Sequence, residues 1–65
     1  MADLKRALSD LQKDLEGIRV KVKLTATDKG IEIEGEQLSD RLIAREECRK
    51  RRWVVVAHYQ PRARA

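Results

Sequence analysis

The sequence predicts a small α+β domain with the element order αββαβ. An alternating apolar pattern over residues 18–35 indicates a β-hairpin, and a leucine seam before it indicates a helix. A charged helix and an apolar strand follow the hairpin. We expect a three-stranded antiparallel sheet in the order 2-1-3, with both helices packed on one face. Residues 1–60 would form this single domain, and residues 61–65 a basic flexible tail.

The first helix is predicted over residues 3–16 by a seam of leucines with alternating spacings of four and three. The seam consists of Leu4, Leu8, Leu11 and Leu15. Asp3 is a suitable N-cap, and Gly17 stands where a glycine often follows the last helical turn. The seam is too short for an independent coiled coil, so we expect this helix to pack on the hairpin.

The hairpin is the most sharply specified element of the chain. Asp28, Lys29 and Gly30 supply the turn, and Gly30 can adopt the positive φ of a tight turn. If Thr27 pairs with Gly30, apolar residues meet on one face and lysines meet glutamates on the other. A slip of one residue would destroy both patterns, so the sequence also predicts the register.

The second helix is predicted to run from Ser39, a suitable N-cap, to about Lys50. Leu38 and Ile43 are spaced to form a hydrophobic staple at its start. Two favourable i,i+4 ion pairs are also expected here: Glu46–Lys50 and Glu47–Arg51. A row of arginines without an acid at matching spacing runs along this helix and favours an anionic partner. The row consists of Arg41, Arg45, Arg49 and Arg52.

Residues 53–59 form an apolar run rich in β-branched and aromatic residues, which predicts the third strand. The run does not alternate, so both faces of the strand need cover. Regular alternation would put one set of side chains on a common face: Trp53, Val55, Ala57 and Tyr59. A second copy of the chain would provide the missing cover, so we expect a homodimer. Its predicted interface residues are Trp53, Val54, Val56 and Tyr59.

Composition limits the chemistry that this chain can perform. It has 65 residues and a net charge of +4, all of which comes from residues 36–65. Cys48 and His58 are its only cysteine and histidine, so we expect no internal disulfide, no metal and no cofactor. A nucleophile–base dyad of these two residues would need an orienting acid nearby, so we expect no enzymatic activity and no small-molecule substrate. Without a signal-peptide pattern or a membrane-span length, the predicted location is the cytoplasm, or the nucleus if eukaryotic.

These observations predict a small basic nucleic-acid-binding module that contacts phosphates through the arginine row. Arg62 and Arg64 in the tail would add further contacts. The alternative is a protein-interaction or assembly module, of a kind common among phage and mobile-element proteins. In that hypothesis the third strand and the leucine seam form the interface.

Overall fold

The computed structural model describes residues 4–61 and confirms both the α+β class and the predicted order of elements. The elements are α1 (Leu4–Gly17), β1 (Lys23–Thr27), β2 (Gly30–Glu34), α2 (Leu38–Lys50) and β3 (Val55–Tyr59). The predictions for Asp3 as a cap and for Arg62 and Arg64 as contacts fall outside the described residues.

The hairpin has the predicted register, because turn chemistry and cross-strand pairing agree. Thr27 lies opposite Gly30, and Leu24 lies opposite Ile33. Gly30 has a φ of 145°, and the Thr27 hydroxyl donates a hydrogen bond to the Gly30 carbonyl oxygen at 2.8 Å. The first strand is shorter than predicted, since β1 begins at Lys23 and the residues from 18 to 22 are not strand.

The predicted antiparallel sheet of order 2-1-3 is wrong. The strands lie in the order β1-β2-β3, and β2 pairs with β3 in parallel, so the sheet is mixed. Because α2 reverses the chain, β3 runs in the same direction as β2 and takes its free edge. The outer edge of β1 is already used, since the Leu24 amide donates to Oε1 of Gln12 on α1 at 3.1 Å.

The absence of a side chain at Gly30 allows the backbone before β3 to lie close beside β2. The Ile31 amide donates to the Val54 carbonyl oxygen at 2.8 Å, which begins the parallel ladder. A Cβ atom on Gly30 would lie only 2.6 Å from that same Val54 oxygen. Glycine in a strand often marks such an approach, so this residue was a signal for the true topology.

A β-bulge in β3 changes which of its side chains face the core. Val55 lies opposite Ile31, but the next residue of β2, Glu32, lies opposite Ala57, so Val56 is an extra residue. The bulge moves Ala57 and Tyr59 to the face that carries the glutamates of β2, and it aligns His58 with Ile33. The regular alternation expected from the sequence is therefore wrong beyond Val55.

One buried cluster joins both helices to one face of the sheet. From α2 it receives only small side chains, Ala44 and Cys48, which let the helix lie close to the strands. The leucine seam is confirmed at three of its four positions, because Leu4 is exposed. The cluster comprises Leu8, Leu11, Leu15, Val20, Val22, Leu24, Ile31, Ile33, Ala44 and Cys48.

The first helix ends one residue later than predicted, and its glycine is not the left-handed residue that follows the last turn. Gly17 is still helical, and the left-handed residue is Arg19, with a φ of 63°. The Val20 amide closes the turn by donating to the Leu15 carbonyl oxygen at 2.8 Å, as in a Schellman motif. Val20 is buried, so an apolar anchor rather than a glycine determines where α1 ends.

The second helix ends in the same way and begins differently from the prediction. Arg52 has a φ of 62°, and the Trp53 amide donates to the Cys48 carbonyl oxygen at 3.0 Å. At the start, the N-cap is Gln37, without a side-chain capping bond, and Ser39 lies inside the helix. The predicted staple is also wrong, because Leu38 is the first helical residue and does not precede the N-cap.

Candidate nucleic-acid interface on the second helix

The predicted arginine row follows one flank of α2 and continues past its end. Arg41, Arg45 and Arg49 are spaced by one helical turn each, and Arg52 follows the last helical residue by two positions. The four side chains differ in how far they are engaged by the rest of the protein.

Arg41 is half-buried and ties α2 to the sheet. Its Nη1 donates to the Gly35 carbonyl oxygen at 2.7 Å, and its Nε donates to Nδ1 of His58 at 3.2 Å. His58 accepts this bond only while Nδ1 carries no proton. Because Arg41 and His58 are 17 residues apart, no local spacing signalled their contact. Arg41 is thus largely occupied in holding α2 against β2 and β3.

The other three arginines of the row are exposed. Nη1 of Arg49 lies 3.8 Å from Oε1 of Glu46, and these side chains are 77% and 61% exposed. Such a pair contributes little, yet it corrects the expectation that no acid accompanies the row. Within residues 4–61, neither Arg45 nor Arg52 has an acidic side chain at ion-pair distance. We name these residues, Arg45, Arg49 and Arg52, the arginine flank.

At the C-terminal end of α2, Glu47 forms ion pairs with two basic side chains outside the arginine flank. Its carboxylate accepts from Arg51 at 3.0 Å and from Lys50 at 3.2 Å. These two hydrogen bonds hold the pKa of Glu47 below its ordinary value. The predicted Glu47–Arg51 pair is confirmed, whereas the predicted partner of Lys50, Glu46, is wrong. Arg51 also lies over the Trp53 ring, 5.8 Å from its centre.

The predicted interface residues of the third strand divide into one half-buried and three exposed side chains. Trp53 packs against the core. Val54 is 64% exposed, Val56 42% and Tyr59 40%. The Tyr59 hydroxyl donates to Oε1 of Glu32 at 3.1 Å, and this bond raises the pKa of Tyr59. An exposed apolar strip therefore lies along β3.

The chemistry of Cys48 and His58 does not resemble that of a catalytic dyad. Cys48 is buried, and burial raises the pKa of its thiol, whereas a nucleophilic cysteine needs a lowered one. Nδ1 of His58 is engaged by Arg41. In the part of the chain that the structure describes, no cluster of three or more His, Cys, Asp or Glu side chains could hold a metal ion.

A cleft of about 570 Å³ lies at the opposite end of α2 from Arg52. Both signs of charge line it, since its lining includes Glu16, Glu34, Asp40 and Lys21. The Lys21 amide donates to Oδ2 of Asp40 at 3.3 Å. This mixture favours no single class of ligand, so the arginine flank is the better candidate site.

No protein-family model, curated protein or solved structure matches the chain. Across residues 4–61, neither helix is long and apolar enough to cross a membrane. The molecule is therefore defined by its own geometry: a small α+β domain that presents an exposed arginine flank and an apolar edge strand.

Proposed function

We propose that this chain is a non-enzymatic nucleic-acid-binding module that contacts phosphates through the arginine flank. The observation that carries the proposal is the exposure of Arg45, Arg49 and Arg52, with a single weak acid partner among them. Guanidinium groups suit phosphates because their donors match two oxygens at once. Arg62 and Arg64 would extend the contact surface beyond this flank.

The geometry of the helix ends supplies a matched pair of variants. Arg19 and Arg52 have nearly the same positive φ, and both are exposed. Arg19→Gly and Arg52→Gly each remove one positive charge and relieve the same backbone strain. The proposal expects only Arg52→Gly to weaken binding to nucleic acid. Equal weakening by both variants would indicate a non-specific response to net charge and would contradict the proposal.

A double variant measures how many phosphates the flank contacts. Arg45→Gln with Arg49→Gln removes two flank charges, and Lys13→Gln with Lys23→Gln removes two exposed charges elsewhere. Fluorescence anisotropy with a labelled duplex, from about 50 to about 200 mM salt, gives the slope of log K against log salt. Each lost phosphate contact should reduce the slope by about 0.9, so the flank variant should lose about 1.8. An unchanged slope would place the binding surface elsewhere.

Protein assembly is the second candidate function. It is favoured by the exposed apolar side chains of β3, since a contiguous apolar strip commonly marks an interaction surface. Under assembly alone, the arginine variants would weaken no measured association. Val54→Lys would instead separate the subunits, and light scattering would detect the change in mass.

A further inference from the structure

The outer face of the sheet, which α1 and α2 leave uncovered, is organised in three columns of different chemistry. Each strand contributes one column, because the register aligns three side chains in every row. One row runs from Lys23 through Glu34 to Tyr59, and the next from Thr25 through Glu32 to Ala57. The columns are therefore basic and polar on β1, acidic on β2 and apolar on β3.

The apolar column lies on a strand whose outer side is open. In the described sheet β3 is an edge strand, since only β2 pairs with it. No charged residue occurs between Trp53 and Gln60, although edge strands usually carry a lysine or a proline that discourages further pairing. The bulge at Val56 bends this edge, but Ala57 to Tyr59 pair regularly with β2 and leave an open edge beside the apolar column, which is suited to accept another strand.

We infer that β3 is the site at which a second copy of this chain binds, by antiparallel pairing of the two β3 edges. The product is a continuous six-stranded sheet with the two apolar columns side by side at its centre. In antiparallel pairing about the two-fold axis, each outer-face residue of one β3 lies opposite the residue equally far beyond the axis on the other, so the two apolar columns run side by side in opposite directions. A second copy fits this edge because an apolar column is self-complementary about a two-fold axis, whereas an acidic or a basic column would oppose like charges.

Charge argues against stacking the outer faces of two copies instead. In any centred two-fold stack of the sheets, the middle column of one copy lies over the middle column of the other. Glu32 and Glu34 would then face the partner's Glu32 and the partner's Glu34, with like charges opposed. Edge pairing places both β3 strands between the two acidic columns, so it avoids the repulsion.

Edge pairing also places the two arginine flanks next to each other on the helical side of the sheet. The flank of α2 that carries the row is turned towards β3, because Arg41 bonds to His58 there. The opposite side of α2 is turned towards the segment that precedes β1, where Asp40 accepts from the Lys21 amide. The dimer thus presents one continuous basic surface. That this surface binds nucleic acid rests on the proposed function.

The joined flanks give the dimer an unusual response to salt. Like charges brought together oppose pairing, and added salt screens them. The dimer should therefore strengthen as salt rises, whereas binding to nucleic acid should weaken. A short duplex that contacts both flanks should favour the dimer over the monomer by mass action.

Sedimentation equilibrium of the full chain tests the inference, first without nucleic acid and at two salt concentrations. We expect a monomer–dimer equilibrium that shifts towards the dimer at the higher salt. Val54→Lys and, as a second variant, Ala57→Lys should raise the dimer dissociation constant by about tenfold or more. Thr25→Lys adds the same charge to the same face on β1 and should leave the constant unchanged. Circular dichroism of each variant verifies that it is folded.

A spin-label distance keeps the test decisive if the lysine variants do not fold. A label on Thr25→Cys reacts selectively, because the native Cys48 is buried. Edge pairing places the two β1 strands five strand spacings apart, about 24 Å between backbones, whereas face stacking would place them about 10–14 Å apart. The shorter distance would overturn the inference.

The outcomes separate this inference from the proposed function. A chain that remains monomeric up to about 1 mM, or a dimer unaffected by Val54→Lys and Ala57→Lys, overturns the β3 interface. If such a monomer still binds the duplex in a salt-dependent manner, the nucleic-acid proposal stands alone. A dimer that is sensitive to Val54→Lys but indifferent to the duplex supports the interface and contradicts the nucleic-acid function.

Discussion

The two edge strands of the sheet differ in how their outer edges are covered. On β1, the Leu24 amide is satisfied by Gln12 from the overlying helix, and Lys23 and Thr25 make the outer face polar. On β3, no described side chain of comparable polarity faces outward except Tyr59, and Val54 and Val56 are exposed. A neighbouring helix therefore protects the β1 edge, whereas β3 carries a bulge but no lysine or proline.

The way in which the chain enters each edge strand does not explain the difference. Both helices end in a Schellman motif with an arginine in the left-handed conformation, Arg19 before β1 and Arg52 before β3. An apolar residue then anchors each turn, Val20 in one case and Trp53 in the other. The contrast between the edges thus arises after these equivalent turns, from the strands and from the α1 side chain that bonds to β1.

The largest effect is expected from Gly30→Ala, which should disrupt the packing of β3 against β2 and leave the β1 edge unchanged. The new Cβ atom would meet the Val54 carbonyl oxygen at 2.6 Å, and the φ of 145° is unfavourable for alanine. We expect a loss of about 2–4 kcal/mol in the free energy of unfolding, measured by urea denaturation.

Gly17→Ala is the control for that variant, because the residue is helical and a Cβ atom added to it would have no neighbour within 4 Å. It should stabilise the protein by about 0.5–1 kcal/mol. A Gly30→Ala protein as stable as the Gly17→Ala protein would contradict the role of Gly30 in seating β3.

Gln12→Ala tests the protected edge. The substitution removes the acceptor of the half-buried Leu24 amide, so we expect a loss of about 1 kcal/mol. Hydrogen exchange of the Leu24 amide should accelerate, while exchange in β3 should not change. Gln12→Glu keeps an acceptor oxygen and should retain most of the protection. Slow exchange at Leu24 in the alanine variant would mean that another group protects this edge.

Arg19→Gly and Arg52→Gly test whether the turns before the two edge strands are equivalent. Each should raise the free energy of unfolding by about 1 kcal/mol, because glycine adopts a positive φ without strain. Thermal denaturation of both variants beside Arg19→Ala, which keeps a Cβ atom, provides the measurement. Gains that differ strongly between the two glycine variants would contradict the equivalence of the turns.

The smallest effect concerns acid sensitivity at the end of α2 that leads into β3. Hydrogen bonds from Arg51 and Lys50 lower the pKa of Glu47 in the folded protein. The Glu47 carboxylate therefore stabilises the fold at pH values above 4.5, the ordinary pKa of this group. The contribution is lost as the pH falls below 4.5 and through the lower pKa of the folded state. Glu47→Gln should therefore reduce the loss of stability between neutral and acidic pH. An unchanged acid response would assign that loss to other carboxylates.

The sequence was sufficient for features fixed by local patterns. The hairpin register followed from the turn at Gly30 and from complementary pairs such as Lys23 with Glu34. The strand order could not be obtained in this way, because it depends on which edge other elements leave free. Gln12 occupies one edge from a distant helix, and only the glycine at the start of β2 indicated close approach on the other.

The sequence predicted which arginines share one flank of α2, but it did not predict their contacts with other elements. Helical periodicity located Arg45 and Arg49 on one flank, and both are exposed. The same periodicity included Arg41, which the folded chain uses to join α2 to His58. Sequence spacing identifies neighbours within a helix, whereas partners from other elements appear only when the chain is folded.

The bulge at Val56 lets β3 reverse the facing of its side chains partway along the strand, because two successive residues lie opposite one residue of β2. If the same sequence paired regularly from Val55 onward, His58 would face outward and Tyr59 would face the core. Arg41 would then lose its acceptor, and the phenol would leave the outer face. During divergence, loss of Val56 alone would therefore straighten the strand and still preserve both the attachment of α2 and the outward position of Tyr59.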